Sequence, residues 1–172
     1  MMAEPGAAAP FGTSLKNEDF ARVFEQIADL LELREENAFR VLAYRNAARE
    51  LRGTGYDIPA LLAAGEALPK MPGIGTDLQA KLHEIFATGT AAMLQKLRQE
   101  YPPGITDLLR LPGIGPKRVR LFYDRLGVGS LAELEAAVRA GRLRALGGFG
   151  AKSEQKILGA IETVKSADAR RS

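Results

Sequence analysis

The pentapeptide MPGIG at residues 71–75 returns as LPGIG at 111–115, and more loosely as LGGFG at 146–150. Glycine adopts φ > 0 at no steric cost and lets an outside group approach the main chain closely. A short chain that turns the same tight corner three times is confined to architectures whose elements reverse repeatedly. The flanks decide which kind. Phe20, Val23, Phe24, Ile27, Leu30 and Leu31 recur at helical spacing. Asn17 is the expected N-cap of that helix, with Glu18 and Asp19 in the first turn, where the helix dipole favours acids. A second helix is expected from about Asn37 to Arg52, with Phe39, Ala43, Tyr44, Ala47 and Leu51 on one face and Gly53 as its stop. Asp57 and Pro59 open a short third. Further helices are expected over 76–88 with Gly89 as the stop, near 90–100, just before the second corner, and from there to Gly127. Ser130 caps one running through about Ala140, and the last spans about Ala151 to Val164.

No stretch alternates apolar and polar residues as a half-buried strand does. The expected fold is therefore all-α. It consists of a small helical domain with one corner, residues 15–100, and a second helical subdomain with two corners in tandem, 101–165. Residues 1–14 are expected to be a disordered leader and 166–172 a flexible tail. Apolar residues make up 46% of the 172 and charged residues 26%, ordinary for a globular protein. The balance is slightly basic, with a net charge of +3 and a pI near 9.3, which suits a polyanionic partner without requiring one. Cysteine is absent, which removes disulfides, thiolate metal sites and cysteine nucleophiles. The start, MMAEPGAAAPFGTS, lacks the basic and apolar regions of a secretory signal, and no run is long enough to span a bilayer. No membrane association is expected, and the location expected is cytoplasmic.

At each corner a helix ends, the chain reverses, and a new helix starts. The middle residue, Ile74, Ile114 or Phe149, is expected to point inward and pin the turn. The amides that follow then sit free at a helix N-terminus, a place that suits an anion. Such a turn is a helix-hairpin-helix, a backbone clamp for a nucleic-acid phosphate; its bland alternative is a plain interhelical corner. Dinucleotide binding fits poorly, because Leu78, Arg118 and Ser153 replace the third glycine of the fingerprint and no strand precedes any corner. Charge favours phosphate. Arg110, Lys117, Arg118, Arg120 and Arg125 surround the second corner, and Arg139, Arg142, Arg144, Lys152 and Lys156 the third, against Asp124 and Glu154. Around the first, Lys70 and Lys81 are offset by Asp77 and Glu84. The expected backbone contacts are Gly73, Gly75, Gly113, Gly115, Gly148 and Gly150, with Lys117, Arg118 and Lys152 beside them. Binding of this kind positions without reading sequence and weakens steeply with salt.

The order of NEDFARVFEQIADLLELREENAFRVLAYRNAARELR, MPGIGTDLQAKLHEIFATG and LQKLRQEYPPGITDLLRLPGIGPKRVRLFYDRLG closely resembles the N-terminal part of the family X DNA polymerases. The resemblance covers about residues 15–165. It implies a small domain that holds the 5′ end of a DNA gap, then a hairpin-bearing subdomain on the primer side. The partners implied are gapped, nicked or 5′-phosphorylated DNA, with other repair proteins or a separate polymerase chain. That points to a nucleoid-associated role in repair. A polymerase palm needs paired carboxylates on strands, which this sequence lacks, so no polymerase activity is expected of it alone; nor can the lone His83 stand in for a histidine-rich nuclease site.

The resemblance also implies 5′-deoxyribose-phosphate lyase chemistry, in which Lys81 would form a Schiff base with the sugar aldehyde before β-elimination. Arg40, Tyr44 and Lys70 would form the 5′-phosphate pocket. Where related lyases gather further lysines, this chain has Asp77, Thr90 and Met93. Asp77 lies four residues before Lys81, so a plain surface ion pair stays open as the alternative. No cofactor is required. The resemblance implies a monovalent cation, sodium or potassium, on the main-chain carbonyls of Pro69, Met71 and Ile74, and another on those of Leu109, Leu111 and Ile114. A third reading makes the corners structural and gives an adaptor role to the acidic first helix, through Glu25, Asp29, Glu32, Glu35 and Glu36.

Overall fold

The computed structural model describes residues 15–171, and the expected leader lies outside them. Helix α1, Asn17–Leu33, buries Phe20, Phe24, Ile27, Leu30 and Leu31 completely. Burying side chains of this size stabilises by roughly 1.5–3 kcal/mol each. Asn17 does not cap this helix, contrary to expectation. Its side-chain amide donates to the Tyr56 carbonyl (2.7 Å), and its oxygen accepts from the Ile58 amide (2.9 Å). Lys16 stands at the flank instead: its carbonyl accepts from the Asp19 amide (2.9 Å), and the Asp19 carboxylate reaches back to the Lys16 amide (2.8 Å).

Helix α2, Ala38–Gly53, starts at Asn37, whose oxygen accepts from the Phe39 amide. It ends at Thr54 in extended conformation rather than at a left-handed Gly53. The face it buries is Val41, Tyr44, Ala47, Ala48 and Leu51. Phe39 and Ala43, expected on that face, lie outside it, and Phe39 is 83% exposed. Helix α3, Ile58–Ala63, is capped by Asp57 and packs against α4, Thr76–Thr88, which Gly89 stops in the left-handed region. Helix α5 spans Ala92–Gln99.

The described residues form two compact units, one of 15–31 with 35–97, the other of 32–34 with 98–171. The second holds α6 (Ile105–Leu108), α7 (Pro116–Leu126), α8 (Leu131–Arg139), a 3-10 helix (Arg142–Leu146) and α9 (Ala151–Arg171). Ser130 accepts from the Glu133 amide while Glu133 accepts from the Gly129 amide, a reciprocal cap for α8. Gly104 is required by space: a Cβ there would sit 2.7 Å from the Gly129 carbonyl oxygen. Helix α9 runs past the Val164 end expected for it, so 166–171 are helical rather than a loose tail. Arg110–Asp168 (2.8 Å) and Lys165–Glu135 (2.7 Å) tie this extension down. The described residues contain no strand, and the fold is all-α.

Candidate nucleic-acid interface

The first two corners share one geometry. At the first, the Ile74 amide donates to the Met71 carbonyl (3.1 Å), Gly73 takes φ +78°, and both apolar residues are buried. At the second, the Ile114 amide donates to the Leu111 carbonyl (3.3 Å) and Gly113 takes φ +76°, again over a buried pair. Gly75 and Gly115 then serve as the N-caps of α4 and α7, and no side chain caps either helix. Among the described residues, the amides of Gly75, Thr76 and Asp77 find no acceptor, nor do those of Gly115 and Lys117. Pro116 occupies the first turn of α7, where it has no amide to leave unpaired. Both corners thus present bare donors at the positive end of a helix dipole.

The third corner differs. A 3-10 helix enters it, and Gly147 and Gly148 both take positive φ, +73° and +72°. Phe149 is only half-buried, with its ring 5.6 Å from Phe122 and the Arg118 guanidinium 5.9 Å from its centroid. Gly150 precedes α9 and accepts from the Glu154 amide.

The cations sort into two groups. Arg110 is held by Asp168 and Asp107, which raise its pKa, and Arg120 by Asp124. Arg139 pairs with Glu135, and Arg142 donates to the Leu126 carbonyl. Arg144 makes two hydrogen bonds to buried Glu154, which raise its pKa. These five were expected around a phosphate, yet their charged heads are spent on the protein. Lys70, Lys117, Arg118, Arg125, Lys152 and Lys156 are exposed and have no ion pair among the described residues. Sequence counts charge but not partners, and the partners here lie up to 58 residues away.

Around the expected 5′-phosphate pocket, the structure joins Arg40 and Tyr44 through Met93. The Tyr44 hydroxyl donates to Met93 Sδ at 3.2 Å, and Arg40 approaches the same sulfur at 3.9 Å. Tyr44 is 4% exposed and meets Phe24 edge-on, so it packs as a core residue and offers no open ring face. Arg40 stays exposed, 3.5 Å from Glu36. Lys70 lines a depression over the first corner with Pro72, Gly73, Gly75 and Gln79. Lys81 is largely covered, its side chain 18% exposed, and lies 3.5 Å from Asp77. His83 is exposed.

The acidic face of α1 is largely neutralised. Arg52 binds both Glu18 and Glu25, and Arg45 binds Asp29; Glu35 and Glu36, expected on this helix, lie beyond its end at Leu33, where Glu35 takes φ +62° and Glu36 lies by Arg40. The hydrogen bond from Arg52 pulls the Glu18 carboxyl below its ordinary range. Of the carbonyls named for a cation, Met71 and Leu111 each accept a turn amide, while Pro69, Leu109 and Ile114 accept none among the described residues. No group of three or more His, Asp or Glu among those residues is placed to hold a metal ion, and no described helix is long and apolar enough to cross a membrane.

Residues 15–91 match a family model described as helix-hairpin-helix domain, and 105–163 match a SAM-like helix-hairpin-helix tandem. The chain is also 33% identical over 147 residues to the DNA polymerase/3′-5′ exonuclease PolX of Bacillus subtilis (strain 168). Over that stretch it is similar to the helix-hairpin-helix part of a family X DNA polymerase. The match takes in 86% of this chain and 25% of the Bacillus protein, so the chain spans about a quarter of that relative's length. The two model matches fall on the first corner and on the tandem second and third.

Proposed function

We propose that this chain is a DNA-binding module of DNA repair that grips the phosphate backbone of gapped or nicked DNA with little regard to sequence. One observation carries the reading: the uncapped amides at Gly75 and Gly115, with unpaired Lys117 and Arg118 immediately after the second. Bare N–H groups at a helix start and a cation beside them are the donors a phosphodiester needs. The helix-hairpin-helix matches and the PolX relative support the same reading. Other repair proteins or a separate polymerase chain would share the DNA with it, and polymerisation is not assigned to these helices. In this reading sodium or potassium sits on the corner carbonyls, of which Pro69, Leu109 and Ile114 have lone pairs to spare. Bound there, the ion would add positive charge beside the phosphate.

Titration of gapped and intact duplexes at several salt concentrations tests this. Each phosphate contact contributes roughly −0.9 to the slope of log affinity against log salt. Lys117→Gln with Arg118→Gln is therefore expected to flatten that slope by about 1.8. Arg110→Gln, a loss from an internal pair, is expected to leave it alone. Equal slopes for all three proteins would refute the clamp.

A second reading keeps Lys81 as a Schiff-base lysine acting on a 5′-deoxyribose phosphate. Its support is that the side chain is largely shielded while Asp77, its ion-pair partner, is 83% exposed and so screened by water.

A further inference from the structure

A pocket of about 410 Å³ opens between the second corner and α9, lined by Gly113, Arg118, Phe149, Ser153, Lys156 and Ile157 among others. Its volume lies at the small end of the roughly 300–1,000 Å³ range of ligand pockets. The lining is divided by chemistry. Ile114 and Ile157, both buried, and the ring of Phe149 make an apolar wall. Arg118, Lys156 and the Ser153 hydroxyl make a polar side. Among the described residues no carboxylate lines the pocket, and Glu154, the nearest one in sequence to Ser153, is taken by Arg144. An apolar wall facing two unneutralised cations matches a flat, uncharged ring joined to an anion, which is a nucleotide.

We propose that this pocket receives one unpaired nucleotide of a DNA strand, with its base against Phe149 and Ile114 and its phosphate on Arg118 and Lys156. The inference rests on the proposed DNA binding and adds a substrate class to it. A paired base would first have to leave the stack, whereas an already single-stranded one enters without that cost. Arg118, which lies beside the Phe149 ring, is placed to stack on the base or pair with the phosphate. The second unit would thereby distinguish a junction between single and double strand from plain duplex. Sequence hid the site because its two sides come from residues some forty apart, and only the fold makes them neighbours.

The test uses the full chain with two fluorescently labelled DNAs, a blunt duplex and the same duplex with a short single-stranded overhang containing 2-aminopurine. The overhang is expected to bind about tenfold more tightly, from the worth of one stacked base, with a change in 2-aminopurine emission. Ser153→Phe fills the pocket without altering charge, and Lys156→Gln, on an exposed position, removes one cation without threatening the fold. Ser153→Phe is expected to abolish the preference and leave blunt-duplex affinity as it was, while Lys156→Gln is expected to weaken binding of the overhang DNA by a larger factor than binding of the blunt duplex. Equal affinity of the unaltered chain for the two DNAs would overturn the proposal. So would variants that weaken both DNAs by one factor, or a free mononucleotide that changes neither affinity nor emission in competition. Each of those results leaves backbone gripping standing; failure to bind either DNA would remove the proposed function itself.

Discussion

Gly113 and Gly115 sit two residues apart in one corner, yet they are glycine for different reasons, and substituting each by alanine separates the reasons. Gly113 has φ +76°, and an added Cβ would meet nothing within 4 Å. The cost of Gly113→Ala is therefore torsional alone, about 1–2 kcal/mol for forcing an L-residue into the left-handed region. At about 4–8 °C per kcal/mol for a domain of this size, the melting temperature of its unit falls by roughly 4–16 °C. Gly115 has φ −90° and ψ 174°, open to any residue, and its Cβ direction is also empty. There the gain of about 0.4–1 kcal/mol from a stiffer unfolded chain offsets the poorer N-cap that alanine makes. Stability should move by no more than about 0.5 kcal/mol. The methyl group, however, stands where a phosphate would approach the bare amides. Losing one hydrogen bond to a charged group lowers affinity about tenfold or more. Thermal melts by circular dichroism and anisotropy titrations on gapped DNA read the two effects separately. Unimpaired DNA binding by Gly115→Ala would refute the amide clamp, and an unshifted melt for Gly113→Ala would refute the torsional reasoning.

Lys81 is tested by borohydride reduction on a 5′-deoxyribose-phosphate DNA: a covalent adduct is expected, absent in Lys81→Ala and stronger in Asp77→Asn, which frees the amine from its partner; an adduct that persists in Lys81→Ala removes this lysine from the chemistry. The Glu18–Arg52 pair gives a pH signature. Because the folded carboxyl titrates below its ordinary value near 4.5, its stabilisation is fully present above that value and lost as the pH falls through the folded one. With the Glu18 side chain 46% exposed, screening limits the effect to about 0.5–1 kcal/mol. Melts of Glu18→Gln against the unaltered chain should therefore differ slightly at neutral pH and converge as the pH falls well below 4.5; a gap that widens in acid would contradict the pairing.

Much of the architecture was legible because it is local. The caps at Asp57 and Ser130 act within three residues of themselves, and the stop at Gly89 needs only its own φ. What was illegible depends on distant partners. Asn17 looks like a cap until Tyr56 and Ile58 claim its amide. Phe39 shares the helical period of α2 but not its buried phase, and period alone does not fix phase. In the candidate site, the glycine pattern located the bare amides. That Arg110 is not among the free cations was set by Asp168, an acid 58 residues away on α9. The core setting of Tyr44, edge-on to Phe24 and bonded to Met93, rests on partners 20 and 49 residues away that its local context does not reveal.

Gly147 stands where Pro72 and Pro112 stand in the other corners, and its angles are φ 73° and ψ 148°. A pyrrolidine ring fixes φ near −65°, so the third copy is closed to the residue that stiffens its siblings. A proline placed at this position would have to rebuild the turn itself. Two consecutive positive-φ positions make the joint between the 3-10 helix and the last helix one that only glycine enters without torsional cost.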